Sequence, residues 1–502
     1  MRQTLKQRIV FGRVFPLVVL LVLFSHTIGC KVGPNYLQQQ MRSKADWSQS
    51  THPRFNGEPA ELGTWWNHFQ DPALDHLMNI AREENLTLRQ VGQRIVEARA
   101  RRGIAAGNLL PQSQTANGSF SKSRLSSTTA NFFSFPGVFE PDLNPENWSV
   151  GLSAAWELDF WGRYRRAIET ADASLDATIA AYDDAAVLLF AEVASSYVEM
   201  RAYEQRIGFA YKNLGIQKRT FELAERKRLA ELGTAIDTAQ AESNYAQTAA
   251  VTPSLEIARR QVCHRLSILL GRSPSDEIAE LGYTAVVPHP PSQIGFGIPA
   301  DLLRRRPDVR KAERELAAQS ARIGVAESEF YPHISLVGNI GYTTEDFGKL
   351  TRSKSSNGII SPNFSWNILN YGRIKKNVEA EKAVFNGLAF SYQSAVLNAE
   401  REAEDAQVAF VLGFDRIAAL QVAISKSSEA VERLLQAYEA GVSDYSRIYL
   451  LQADLLRQQD QLAQTEGQVS ISLISLFKAL GGGWEFARNS YCEPNAHMAS
   501  LK

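Results

Sequence analysis

Residues 153–167 read SAAWELDFWGRYRRA, and residues 363–377 read NFSWNILNYGRIKKN. Trp156, Gly162 and Arg163 of the first stretch return as Trp366, Gly372 and Arg373, each 210 positions later. The echo runs outward in both directions. Residues 100–111 (ARRGIAAGNLLP) answer 321–332 (ARIGVAESEFYP) at an offset of 221, and LSILLG ending at Gly271 answers LFKALG ending at Gly481 at an offset of 210. The first copy therefore carries 11 extra residues between its proline and its tryptophan, within SSTTANFFSFPGVFEPDLNPEN. An insertion tolerated by one copy alone marks a surface loop.

Each copy runs through one order of textures. A helix comes first, over 87–108 and again over 308–329, with Pro307 preset for a first turn and Asp308 suited to the positive end of the dipole. Two short alternating stretches follow. Over 150–160, Val150, Leu152, Ala154, Trp156, Leu158 and Phe160 fall on alternate positions against Gly151, Ser153, Ala155, Glu157 and Asp159. Ile360, Phe364, Trp366 and Ile368 repeat this pattern, and residues 333–343 alternate as well, whereas the matching 112–120 is much more polar. After the strands the apolar period lengthens to three or four over 167–230 and 376–440. A helix of about 64 residues spans about 95 Å, a rod that coiled-coil packing can use. Each rod breaks near Gly233 or Gly441, where glycine supplies a left-handed cap residue, and a second helix returns toward Gly271 or Gly481. Pro253 is expected to kink or split the first return helix.

Lys plus Arg and Asp plus Glu both count 54, a balance that gives no support to a nucleic-acid footprint or a polybasic membrane patch. Its long apolar run lies near the N-terminus, where Arg2, Lys6, Arg8 and Arg13 precede an apolar segment over 14–24. That is the layout of an export signal and is too short for a spanning helix. Cys30 after Gly29 is the expected cleavage and acylation point, although Thr27 stands where such signals usually carry Leu. Lys31 rather than Asp follows it, so an inner-membrane retention signal is absent. Cys263 and Cys492 make no disulfide framework.

The alternating stretches have the 9–11 residues that a tilted strand needs to cross a bilayer. Trp156, Phe160, Trp161, Trp366 and Tyr371 near their ends resemble an interfacial aromatic girdle. A soluble sandwich would give the same alternation, but not the export signal. Four strands per chain cannot close a barrel, since the smallest membrane barrels have eight and an open edge in lipid is costly. If the strands span, several chains share one barrel.

With CKVGPNY at 30–36, the run 65–90, the run 298–336 and LFKALGGGW at 476–484, the sequence resembles the outer membrane factor family, the TolC-type exit ducts. It is most similar to the NodT-like lipoprotein branch that serves resistance-nodulation-division pumps. The resemblance implies a mixed α and β membrane protein: a trimeric 12-stranded outer-membrane β-barrel continued by a long periplasmic α-helical barrel with an equatorial belt. It also implies a periplasmic adaptor and an inner-membrane pump as partners, and no enzymatic activity or cofactor beyond the lipid on Cys30. The expected domains are a signal peptide (1–29), a lipid-anchored equatorial segment (30–85), the first repeat (86–271), a linker (272–297), the second repeat (298–484) and a flexible tail (485–502). The adaptor-docking tip is assigned to Gly233, Thr234, Gly441, Val442 and Ser443. Tyr438, Asp444 and Leu450 are the gate candidates, Leu450 standing where relatives often carry an acid.

An enzyme has little support. No HExxH, P-loop or GxSxG motif occurs, and His68 and His76 read as structural histidines. A type I secretion duct remains an alternative. A non-conducting coiled-coil scaffold would explain the rods but not the paired strands.

Overall fold

The structure, a computed structural model, describes residues 30–38, 47–49, 51–56, 61–124, 126, 144–274, 281–295 and 303–488. The expected signal peptide, most of the inserted loop, part of the linker and residues 489–502 with Cys492 lie outside the described residues. The elements run α1 (Pro72–Glu84), α2 (Leu86–Gly107), β1 (Ser113–Lys122), β2 (Glu146–Leu158), α3 (Arg163–Leu229), α4 (Ala235–Leu269), α5 (Pro307–Ser328), β3 (His333–Thr344), β4 (Ser356–Ser365), α6 (Arg373–Glu439), α7 (Tyr445–Ala479) and α8 (Trp484–Arg488). The repeat written in the sequence is a repeat of backbone. α2 and α5 begin and end 221 positions apart, and both hairpin helices recur at 210, α3 with α6 and α4 with α7.

The chain forms two compact units. The first takes Met1–Gln38, Glu97–Asp176 and Arg314–Phe390, and the second takes Gln39–Val96, Ala177–Glu313 and Ser391–Lys502. The first unit holds a four-stranded antiparallel sheet in the order β1-β2-β3-β4. Its register sorts most side chains by polarity. Leu152 lies opposite Ala116 and Ile340, and Ile360 opposite Gly338, so these residues share one face with Val150, Trp156, Leu336, Tyr342 and Phe364. The other face is mostly hydroxyl and amide, with Val337 and Ile359 as its apolar exceptions. Thr115 and Ser153 bond at 2.7 Å, Ser119 and Ser149 at 2.8 Å, and Asn357 donates to Thr343 Oγ1 at 2.8 Å. Leu152 is 61% and Phe364 76% exposed, so at these positions the apolar face is uncovered among the described residues.

The second unit is built on the two helical hairpins, α3–α4 and α6–α7. Its aromatic core stacks Trp65 on Phe477 at 5.4 Å, with Trp66 against Phe190 and Phe486. Asp71 caps α1 by accepting from Ala73 N at 2.9 Å, with Pro72 at the first helical position. The linker is tied to the helices by a buried ion pair. Arg201 and Glu204, each 2% exposed, bond at 2.7 Å, and Arg201 also donates to Leu281 O and Gly282 O.

Four expectations change. α4 runs unbroken through Pro253 and is not split; one lost backbone donor in a 35-residue helix leaves its other hydrogen bonds in place. The long helices start earlier than their apolar stripes, at Arg163 and Arg373, because Gly162 and Gly372, both at φ +79°, make the turn into them. β4 ends at Ser365, so Trp366 and Ile368 lie beyond the strand. Residues 485–488 are not tail: Phe486 packs on Trp66, and Arg488 donates to buried Asp183 at 2.6 Å.

Candidate conduction, anchoring and docking sites

Strand ends meet helices at two equivalent junctions in the first unit. Trp156 Nε1 donates to Leu109 O at 3.1 Å, and Trp366 Nε1 donates to Phe330 O at 2.9 Å, so each repeat fastens its tryptophan to its own preceding turn. The next aromatic differs. Trp161 donates to Pro332 O at 2.9 Å and stacks on Tyr331 at 4.6 Å, whereas Tyr371 is 93% exposed in a left-handed conformation. Phe160 is half-buried. Around the first junction the polar strand face ends in a charged cluster. His333 Nδ1 meets Glu157 Oε1 at 2.8 Å, Arg163 reaches Glu157 at 3.2 Å and Glu329 at 3.4 Å, and Tyr164 donates to Glu157 at 3.0 Å. Burial and the neighbouring Glu157 carboxylate push the Tyr164 phenol up to about 12.

The segment after Cys30 lies in a slot built for it. Arg166, buried on α3, donates to Val32 O at 2.9 Å, to Gly33 O at 2.8 Å and to Asn35 Oδ1 at 3.0 Å. Gly33, at φ +87°, lies so close to Gly324 Cα that neither position has room for a side chain; a Cβ on Gly324 would come within 2.8 Å of Arg166 Nε. Lys31 and Arg166 pair with Glu169, and although burial raises that carboxyl, these two cations hold it below the usual carboxylate range. Cys30 is exposed at the end of this slot. The clamp was not legible beforehand, since Arg166 looks like one of three similar cations in GRYRRA.

At the helix turns, Thr234 caps α4 in a capping box with Asp237, and Gly441 adopts φ +75°. In the first turn the left-handed residue is Glu231 at φ 57°, not Gly233. The 210 offset equates Glu231 with Gly441, and backbone register rather than the nearest glycine decides the cap. Ser443 is half-buried, while Val442 is 78% exposed, and Leu229, Leu232 and Ile236 around the first turn are exposed as well. Of the gate candidates, Leu450 is 62% exposed, and Asp444 begins α7 without a capping bond from its side chain. Tyr438 is no surface residue. It is packed at 6.0 Å from Tyr445, with the Lys227 ammonium 4.4 Å over its ring, so it cannot line an opening in this conformation. Among the described residues no group of His, Cys, Asp and Glu could hold a metal ion.

The model of the outer membrane efflux protein family matches residues 77–272 and 298–482. Nodulation protein T of Rhizobium leguminosarum bv. trifolii is 32% identical over 467 residues, spanning 91% of this chain and 95% of that protein. The toluene efflux pump outer membrane protein TtgF of Pseudomonas putida is 27% identical over 475 residues, with 91% and 95% covered. Among solved structures, the outer-membrane channel OprN superposes with a TM-score of 0.84 at 30% identity, covering 91% of this chain and all of that one.

Proposed function

Because the chain belongs to the outer membrane efflux protein family, we propose that three copies of it close one barrel and receive cargo through a periplasmic adaptor from an inner-membrane pump. The protein is an outer membrane efflux channel that extends into the periplasm. The observation that carries the trimer is the sheet: four strands, an apolar face open to solvent, and β1 and β4 each lacking a partner on one side among the described residues. Such edges are intolerable in lipid unless another copy pairs with them, and three copies supply 12 strands. Exposed apolar positions on α6, Phe390, Leu397, Leu412 and Val422, offer further area for the same partner.

Native mass spectrometry in mild detergent tests the assembly. A trimer is expected; a monodisperse monomer with full strand content refutes it. We assign acylation to Cys30, where the clamped segment supports an anchor beside the sheet unit, and a mass spectrum of unmodified Cys30 would remove it. Both helix turns, with Gly233, Thr234, Gly441, Val442 and Ser443, form the docking tip. Gly441→Trp is expected to abolish efflux at unchanged trimer yield. Leu450, repeated in three copies, makes an apolar constriction that slows ions by dewetting. Leu450→Asp then raises resting cation conductance, and Asp444→Asn changes it less. The relatives are named for nodulation and toluene efflux.

A further inference from the structure

The two junctions carry the same cations but not the same acids. In the first, Arg163 meets Glu157 and Glu329 at 3.2 and 3.4 Å, and Arg165 meets Asp159 at 2.9 Å. In the second, 210 positions on, Arg373 and Lys375 replace the two arginines, while Asn367 and Leu369 replace the two acids. Among the described residues Arg373 pairs with no carboxylate; its Nε donates to Asn370 O at 3.3 Å. A neighbouring copy does not correct this. If β4 of one copy meets β1 of the next as β2 meets β3 within a chain, the counterparts of Glu329 and His333, 221 positions earlier, are Asn108 and Gln112. Assembly brings amides to Arg373 where the first junction has a carboxylate and a histidine.

The position of Arg373 makes this charge relevant to transport. Glu157 and His333 stand on the polar face of the sheet, the face able to line water, and Arg163 is bonded to that cluster. Arg373 shares a cavity of about 640 Å³ with Glu329, Arg322, Asn370 and Asn377. The acids there are engaged: Glu329 by Arg163 and, at 3.5 Å, by His333, and Glu381 by Gln319. Arg322 reaches only Gln319, at 3.5 Å. With Glu329 held by Arg163 and Glu381 bonded to the neutral Gln319 amide, the cavity sets two guanidinium groups, neither bonded to a carboxylate, against one acid without a cation, edged by neutral amide donors. Guanidinium binds carboxylate and phosphate oxygens in pairs, and a site where cations outnumber acids attracts anions along its approach.

We propose that Arg373, with Arg322, forms an anion-binding step on the water-facing side of the strand unit, taking carboxylate- or phosphate-bearing solutes in transit. Three copies set three such steps around the duct, alternating with three clusters in which the arginines are paired with acids. Their multiplicity and exposure favour weak capture followed by release, as conduction requires. The alternation rests on the trimer proposed above.

The test uses the full chain in planar bilayers under a potassium chloride gradient, with native mass recorded on the same preparation. Arg373→Gln is expected to lower the chloride-to-potassium permeability ratio by about twofold or more. Asn367→Glu, which restores the acid that the first repeat carries as Glu157, lowers it comparably while keeping the arginine, and Lys376→Gln leaves it unchanged. Benzoate added to the chamber reduces wild-type current and acts less on Arg373→Gln. If trimers are present and wild type, Arg373→Gln and Asn367→Glu share one reversal potential, the anion step is wrong and the assembly stands. If no trimer is present, the assembly falls and the step falls with it.

Discussion

Within one chain, the two repeats meet along β2 and β3, and among the described residues each keeps one outer strand, β1 or β4, with an open edge. The repeats differ at their junctions: Trp161 is stacked and hydrogen-bonded, while its counterpart Tyr371 stands almost fully in solvent. The same asymmetry runs through the charges. Arg166 is buried in the clamp on residues 32–35, and its counterpart Lys376 pairs on the surface with Glu379 at 2.6 Å. Two nearly identical backbones thus carry opposite surroundings, because a repeat's neighbours depend on its place in the chain and not on its own residues.

Equivalent substitutions in the two repeats can break or sharpen that comparison. The largest difference is expected at the aromatic pair. Trp161→Ala removes a stack and a hydrogen bond inside the chain and costs about 3 kcal/mol in denaturant unfolding. Tyr371→Ala leaves the fold intact and weakens only the detergent-resistant trimer. Equal losses of fold stability would mean that the repeats share one environment after all. Arg166→Ala leaves the carbonyl groups of Val32 and Gly33 without their donor and costs about 2–3 kcal/mol, with faster proteolysis after residue 30 as its signature. Lys376→Ala has no measurable effect on either.

The turns give a smaller contrast of opposite sign. Gly441→Ala forces a side chain into φ +75° and costs about 1 kcal/mol in melting experiments, whereas Glu231→Gly relieves the same region and gains about 0.5 kcal/mol. The smallest effect is alkaline. Tyr197 donates to Asp71 at 2.7 Å, and burial, then that bond, push its phenol up to about 12, as for Tyr164. A raised folded value means the contribution is complete below the ordinary phenol value of 10 and disappears as pH rises toward 12. Their counterparts in the second repeat, Gln407 and Ile374, do not titrate. Tyr197→Phe should therefore flatten stability between pH 10 and 12, measured by alkaline unfolding.

The sequence by itself determined the repeat, its offsets, the order of helix, strands and hairpin, and the need for partner chains. These follow from periodicity, which is local, and from strand arithmetic, which is only counting. β1 was the hardest strand to read because its apolar-face positions hold Gln114, Ala116 and Gly118, and only pairing with Val150, Leu152 and Ala154 assigns them a face. Tertiary structure alone decided the Arg166 clamp, the left-handed Glu231, the burial of Tyr438, the docking of α8 and the bonding of Arg373 to a backbone carbonyl rather than to a carboxylate. Each depends on residues far apart in sequence or on backbone register at a turn. A cation, a glycine or a tyrosine does not carry its partner in its own identity; the fold chooses that partner by bringing distant segments together.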